Sequence, residues 1–288
     1  MKKYNFLSFF IIGAFLILGM SACLKDDAHF TDFAGVSAIA DIPTSANNGV
    51  EDHKSFLLST APTPFSFDVK VESPSATVAN TDLVLGADKA YLAKYNSANG
   101  TNYALLPDSS FSIANATVTI PAGSKLGTFT MNFNTSKIDP VKAADPDTGY
   151  ALPITIKSAT NGVTPSSNFG TKLVIISIRN AYEGQYHSVG YFMHPTSPRA
   201  INRDKFLSTI NSNTVQTEFA DLGAAATMQL VVNADNSVKI LIPGSSSANP
   251  ATVQTAGKYD PATKSFTLGY YYVAASGNRV INEVISPK

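Results

Sequence analysis

Met228-Gln229-Leu230-Val231-Val232-Asn233-Ala234-Asp235-Asn236-Ser237-Val238-Lys239-Ile240-Leu241-Ile242 decides how the second half of this chain folds. Two apolar runs of strand length flank four residues that accept turn conformations, and the unit reads as a β-hairpin. Outward from it the same grammar repeats. Thr214 to Phe219 alternates before it, and Lys258 to Phe266 is a second hairpin turning on Asp260-Pro261-Ala262-Thr263. Tyr186 to Met193 opens the set and is closed by His194-Pro195, while Gly269 to Val273 and Arg279 to Ile285 end it. About seven or eight strands in up-and-down order protect their edges best as a small antiparallel barrel or sandwich, a lipocalin-like meander.

The first half alternates too. Phe65-Ser66-Phe67-Asp68-Val69-Lys70-Val71 has one apolar and one polar face. Thr117 to Ile120 leads through Pro121-Ala122-Gly123 into Gly127 to Phe133, which is expected to be its antiparallel neighbour. Leu152 to Ile156 and Leu173 to Ile178 follow, and Pro153 places the former at an edge or at a strand start. One helix interrupts the strands, Asp88 to Asn96, with Asn99-Gly100 as its stop. The reading is all-β throughout: an immunoglobulin-like β-sandwich over residues 35–179, then the barrel or sandwich over 180–288.

Ahead of both domains stands an export signal. Lys2 and Lys3 give the positive start, Phe6 to Leu18 a short apolar core, and Ser21-Ala22 the small residues before the chain's single cysteine, Cys23. Met20 takes a place usually held by leucine in lipoprotein signals. The order predicts a signal peptide over 1–22, acylation of Cys23, and a lipidated tether over 23–34. The apolar core is too short for a comfortable membrane span, whereas two or three acyl chains, at about 0.8 kcal/mol per buried CH₂, anchor a protein stably.

Composition narrows the chemistry. The chain has 21 basic and 21 acidic residues, and loss of Lys2 and Lys3 leaves a slight acidic excess. No basic block could follow a phosphate backbone, so nucleic acid is not an expected partner. With Cys23 acylated no thiol remains for a disulfide, a zinc site or a nucleophile. Signatures of nucleophile elbows, zinc helices, phosphate loops and calcium loops are absent, and no cofactor or metal is expected. His187 and His194 are seven residues apart on one strand and face opposite ways, which argues against a shared metal. Carboxylates such as Glu183, Glu218, Asp221 and Glu283 are present, but no pattern forces two of them together as a glycosidase requires.

Aromatic residues are the remaining candidates for a binding surface, because sugar rings stack their C–H faces on aromatic planes. Tyr270 and Tyr272 share one strand face and Tyr271 takes the other, so one face must expose tyrosine or satisfy a buried hydroxyl. Pro195-Thr196-Ser197-Pro198-Arg199 adds a stiff loop with a fork-shaped donor. The candidate recognition residues are therefore Tyr191, Arg199, Tyr270, Tyr271 and Tyr272.

Several stretches carry a family resemblance. Cys23-Leu24-Lys25-Asp26-Asp27 resembles the surface-export signal of Bacteroidota lipoproteins, with Lys25, Asp26 and Asp27 behind the acylated cysteine. Tyr103-Ala104-Leu105-Leu106-Pro107, Val118 to Gly123 and Gly149 to Ile154 resemble an N-terminal domain of unknown function (type 1735) that is common in such lipoproteins and sometimes precedes chitinase-like modules. Tyr182 to Tyr186, Gly190-Tyr191, His194-Pro195, Arg199, Thr214 to Gly223 and Arg279 to Glu283 resemble its C-terminal companion (type 4361). The resemblance implies an outer-membrane lipoprotein facing outward and a non-enzymatic accessory role in polysaccharide utilisation. Its implied partners are a polysaccharide or oligosaccharide and an outer-membrane importer complex. It supplies no catalytic residues. Two rival classes stand behind it, a structural or adhesive subunit that binds a protein partner and a glycoside hydrolase.

Overall fold

The computed structural model describes residues 36–75, 77–241, 252–274 and 277–288. The chain is almost entirely β, in two units.

The first unit packs two sheets. Its strands are β1 (Ile39–Asp41), β2 (Glu51–Leu57), β3 (Thr63–Glu72), β4 (Thr81–Ala87), β5 (Ala104–Leu105), β6 (Phe111–Ser112), β7 (Thr117–Ile120), β8 (Leu126–Phe133), β9 (Tyr150–Ala159), β10 (Thr164–Pro165) and β11 (Thr171–Arg179). One sheet runs β10-β1-β3-β8-β6 and the other β2-β11-β9-β4-β7, with β5 also on β9. Alternation on β3 turns Phe65, Phe67, Val69 and Val71 inward. There they meet Phe129, Met131 and Phe133 of β8 and the buried residues of the second sheet. The Phe67 and Phe129 rings sit 5.3 Å apart, in the range where tilted aromatic pairs attract.

The back of the second sheet is covered by the helix Lys89–Asn99, which buries Leu92 against Ala151 and Leu173. The Asp88 carboxylate accepts the Tyr91 N–H at its start. Gly100, at φ 68°, closes the helix in the left-handed conformation that glycine adopts without a Cβ penalty.

Two pairings differ from the sequence reading. β7 and β8 are not hydrogen-bonded neighbours: β7 pairs with β4 and β8 with β3, so the Pro121-Ala122-Gly123 turn crosses between sheets. Gly127 makes room for the crossing, since a Cβ there would lie 2.6 Å from Val118 Cγ1. Pro153 lies in a central strand rather than at an edge. It falls where β9 changes neighbour, after β5 ends opposite Ala151 and before β4 starts opposite Ile154, so its missing N–H leaves no gap in either ladder.

The second unit is a closed barrel of eight antiparallel strands: β12 (Gly184–Met193), β13 (Arg199–Asn211), β14 (Thr214–Glu218), β15 (Thr227–Val232), β16 (Ser237–Leu241), β17 (Thr252–Asp260), β18 (Ser265–Ala274) and β19 (Gly277–Pro287). Closure leaves no free sheet edge. A barrel of this size is filled by its own side chains, here Phe192, Leu207, Met228, Leu230, Phe266 and Ile281 among others. Both hairpin turns form where the sequence places them. Asn236 and Lys264 take positive φ, and Asn233 closes the first turn onto Ser237.

The units are joined through Asn180. Its backbone N–H donates to Thr209 Oγ1, and its side-chain amide donates to the carbonyls of Asn211 and Thr214 at 2.8 and 3.0 Å. That pins the linker to the β13–β14 turn. The other end of the barrel, where β13 begins at Arg199, therefore points away from the join.

Candidate functional site

The five recognition candidates fall in three places. Tyr270 is in the barrel interior with no exposed surface. Its hydroxyl donates to Glu283 Oε1 at 2.7 Å and accepts the Ala220 N–H at 3.1 Å. Desolvation and the Glu283 charge push its pKa well above the usual tyrosine value. Tyr270 is thus removed from the recognition surface, because its hydroxyl was satisfied by burial with a partner instead of by exposure. Cys23, Lys25, Asp26 and Asp27 lie outside the described residues.

Around Glu283 the interior is polar. Its Oε2 accepts from Lys205 Nζ and Ser188 Oγ, both at 2.6 Å, and the Lys205 and Glu283 side chains are fully buried. Gly190 makes this possible. It faces Glu283 across the β12–β19 pair, and a Cβ there would stand 2.8 Å from the Glu283 Cβ.

Tyr191 and Tyr271 face outward on the barrel wall. Tyr191 on β12 is opposite Asn282 of β19, and Asn282 is opposite Gly269 of β18. One row along, Met193 is opposite Val280 and Val280 opposite Tyr271. The two tyrosines therefore flank β19 with a two-residue offset, about 12 Å apart on ordinary strand spacing. Tyr191 is 45% exposed, and Val189 and Val284 extend the apolar stripe beside it. Asn202 and Asn282 supply exposed amides on the same face.

Arg199 and Tyr272 meet at the barrel mouth far from the domain join. Arg199 forks onto Asp221, with Nη2 donating to Oδ1 at 2.6 Å and Nε to Oδ2, and its guanidinium lies 4.4 Å from the centre of the Phe192 ring. Hydrogen bonding from Arg199 holds the Asp221 carboxyl below its usual range. Tyr272 packs edge-on against Phe219 and carries Arg279 over its ring at 5.4 Å, with Arg279 Nη1 donating to the Tyr272 hydroxyl at 3.0 Å. His194 caps the loop, its Nδ1 accepting the Thr196 and Ser197 N–H groups. Loss of hydration lowers its pKa, and so do Arg279 and Arg199.

Arg279 and Phe219 were not among the sequence candidates. The signal for Arg279 is the alternation of β19: it shares the inward parity of Ile281, Glu283 and Ile285, so its cation is directed to the barrel end.

The other histidine and the carboxylates singled out in the barrel are engaged. His187 pairs with Asp204 on the outer wall at 2.8 Å, well away from the role of His194 in the mouth. Glu183 accepts the Thr209 N–H, Glu218 pairs with Arg203 at 3.0 Å, and Asp221 is held by Arg199. Among the described residues no three His, Asp or Glu side chains cluster as a metal site, and no helix is long and apolar enough to cross a membrane. A surface hollow of about 340 Å³ in the first unit, against Tyr103, Asp145 and Ile175, has mostly apolar walls.

Comparison with known proteins gives two family matches, and the second begins ahead of β11, within the first unit. Residues 42–163 match a family model described as an N-terminal domain, and residues 170–286 match one described as a C-terminal domain. The chain carries both domains. No curated protein sequence matches it. A Bacteroides ovatus protein of unknown function superimposes with a TM-score of 0.59 at 11% identity, over 89% of this chain and 93% of its own. A second from the same organism gives 0.52 at 14%, over 86% and 94%. A multidomain protein including DUF1735, also from Bacteroides ovatus, gives 0.50 at 13%, over 86% and 93%. At these identities the likeness is one of fold. It spans the N-terminal and C-terminal domains together.

Proposed function

We propose that this chain is a surface lipoprotein that binds glycan without cleaving it, as an accessory to a polysaccharide-utilisation system. In this reading Cys23 carries the lipid, and Lys25, Asp26 and Asp27 send the protein to the outside of the outer membrane beside an importer complex. The N-terminal domain is of type 1735 and acts as a spacer. The C-terminal domain, of type 4361, carries the recognition face.

The observation that supports this most is the pair of outward tyrosines, Tyr191 and Tyr271, set on rigid barrel strands with Asn282 and Val280 of β19 between them. Aromatic planes accept the C–H faces of sugar rings while neighbouring amides bond the hydroxyls. Strands hold the pair in place before binding, so little ordering entropy is lost. A binding role without turnover also fits the carboxylates. Glu218 and Asp221 are each tied to an arginine, and Glu183 to a backbone N–H, so each of these carboxylates is engaged within the protein itself.

The test is electrophoresis of the soluble protein from Asp26 onward through native gels that each contain one polysaccharide. Retardation by one class, with no reducing sugar released from it, is the expected outcome. Release of sugar would replace the reading with a hydrolase, and free migration in every gel would shift it to a protein-binding adhesive or structural role.

A further inference from the structure

The barrel mouth holds three arginines and two carboxylates that answer them. Arg199 is neutralised by Asp221 and Arg203 by Glu218. Arg279 has no carboxylate partner among the described residues: Nη1 is spent on the Tyr272 hydroxyl and Nε is buried without any acceptor. A partly buried guanidinium that is stacked on an aromatic ring and short of acceptors has lost hydration without recovering it in hydrogen bonds. The other charged and titratable groups facing it are Arg199, which adds to the positive field, and His194, whose Nδ1 is already committed to accepting two backbone N–H groups.

We propose that the mouth is a subsite for an acidic sugar, with Arg279 receiving a ring carboxylate of the bound glycan and Tyr272, backed by the buried Phe219, forming its apolar wall. This rests on the glycan-binding reading and narrows its ligand class. The planar fork of arginine matches a carboxylate with two parallel donors. Bringing a carboxylate to the Nη edge of Arg279 balances the mouth's charge and gives the guanidinium an anionic acceptor there, while Nε stays buried. The subsite lies at the barrel end away from the domain join, where a long chain could cross it and run onto the outer tyrosines.

Affinity electrophoresis tests this with polygalacturonate, dextran sulfate and plain dextran as the gel polymers, on the wild type, Arg279→Gln and Arg279→Lys. Thermal melting of each variant checks that it is folded. The expected result is retardation of the wild type by polygalacturonate that weakens with added salt. Arg279→Gln should weaken it about tenfold or more and Arg279→Lys by less, since lysine keeps the charge and loses the fork. Equal retardation of wild type and Arg279→Gln by polygalacturonate would overturn the proposal. So would retardation by dextran sulfate alone, which would assign the site to sulfate. Retardation by neutral dextran alone would overturn it while leaving the glycan-binding reading intact, and no retardation by any polymer would count against both.

Discussion

The Tyr270 hydroxyl donates to Glu283 Oε1 at 2.7 Å inside the barrel, on the strand pair β18–β19. The bond sorts the three consecutive tyrosines by role. Tyr270 satisfies a buried carboxylate, Tyr271 must therefore point out through the wall, and Tyr272 reaches the mouth to stack with Arg279.

The same carboxylate makes the barrel sensitive to loss of its cation. Lys205→Met leaves Glu283 buried with only hydroxyl donors, and removing one partner of a buried pair costs about 3–5 kcal/mol. Urea unfolding should show a loss of that order. Replacing both residues, Lys205→Met with Glu283→Leu, should recover much of it, because the desolvated charge goes with its partner.

Alkaline pH should expose the buried tyrosines. Burial raises Tyr186 from 10.0 to about 12 and raises Tyr270 well above its usual value. Below pH 10 both are neutral folded or unfolded, and their contribution is fully present. Above it the unfolded chain releases protons that the folded chain retains, so stability falls as pH rises from about 10 through 12. Denaturant midpoints measured across that window should decline, and Tyr270→Phe should decline less steeply than the wild type.

Gly190 is expected to tolerate no side chain. A Cβ would lie 2.2 Å from the Asn282 carbonyl oxygen and 2.7 Å from the Glu283 Cα, both on the neighbouring strand's backbone. Gly190→Ala should cost at least the about 1–3 kcal/mol typical of overpacking, read as a lowered melting temperature. Gly123→Ala meets nothing within 4 Å and loses only the ease of its positive φ, so its cost should be smaller.

Much of this was legible because turn chemistry and alternation are local. Asn233 to Asn236 and Asp260 to Thr263 announced their hairpins, and Asp88 and Gly100 marked the helix ends. What alternation lacks is the identity of the neighbour. Thr117 to Ile120 and Gly127 to Phe133 show the same inward period whether they pair in one sheet or face each other across a core, and they do the latter. Pro153 signalled a missing donor correctly, but a central strand can change partners at that residue, which spacing does not reveal. The tyrosine triplet gave two faces without saying which was core. Glu283 held that information: a carboxylate between Ile281 and Ile285 on an apolar face needs donors, and Tyr270 supplies one.

Glycan capture by the outer wall bearing Tyr191 and Tyr271 is the property on which the proposed function turns. The most direct measurement compares wild type with the Tyr191→Ala and Tyr271→Ala variants in a gel containing a polysaccharide that retards the wild type. Both side chains are on the outer wall, so melting temperatures should stay close to wild type. Each substitution should weaken binding about twofold to tenfold, from the ~0.5–1.5 kcal/mol of an aromatic contact, and the double variant should migrate nearly as it does without polymer. Undiminished retardation of the double variant would exclude the outer wall as the binding surface and place the glycan site elsewhere on the molecule.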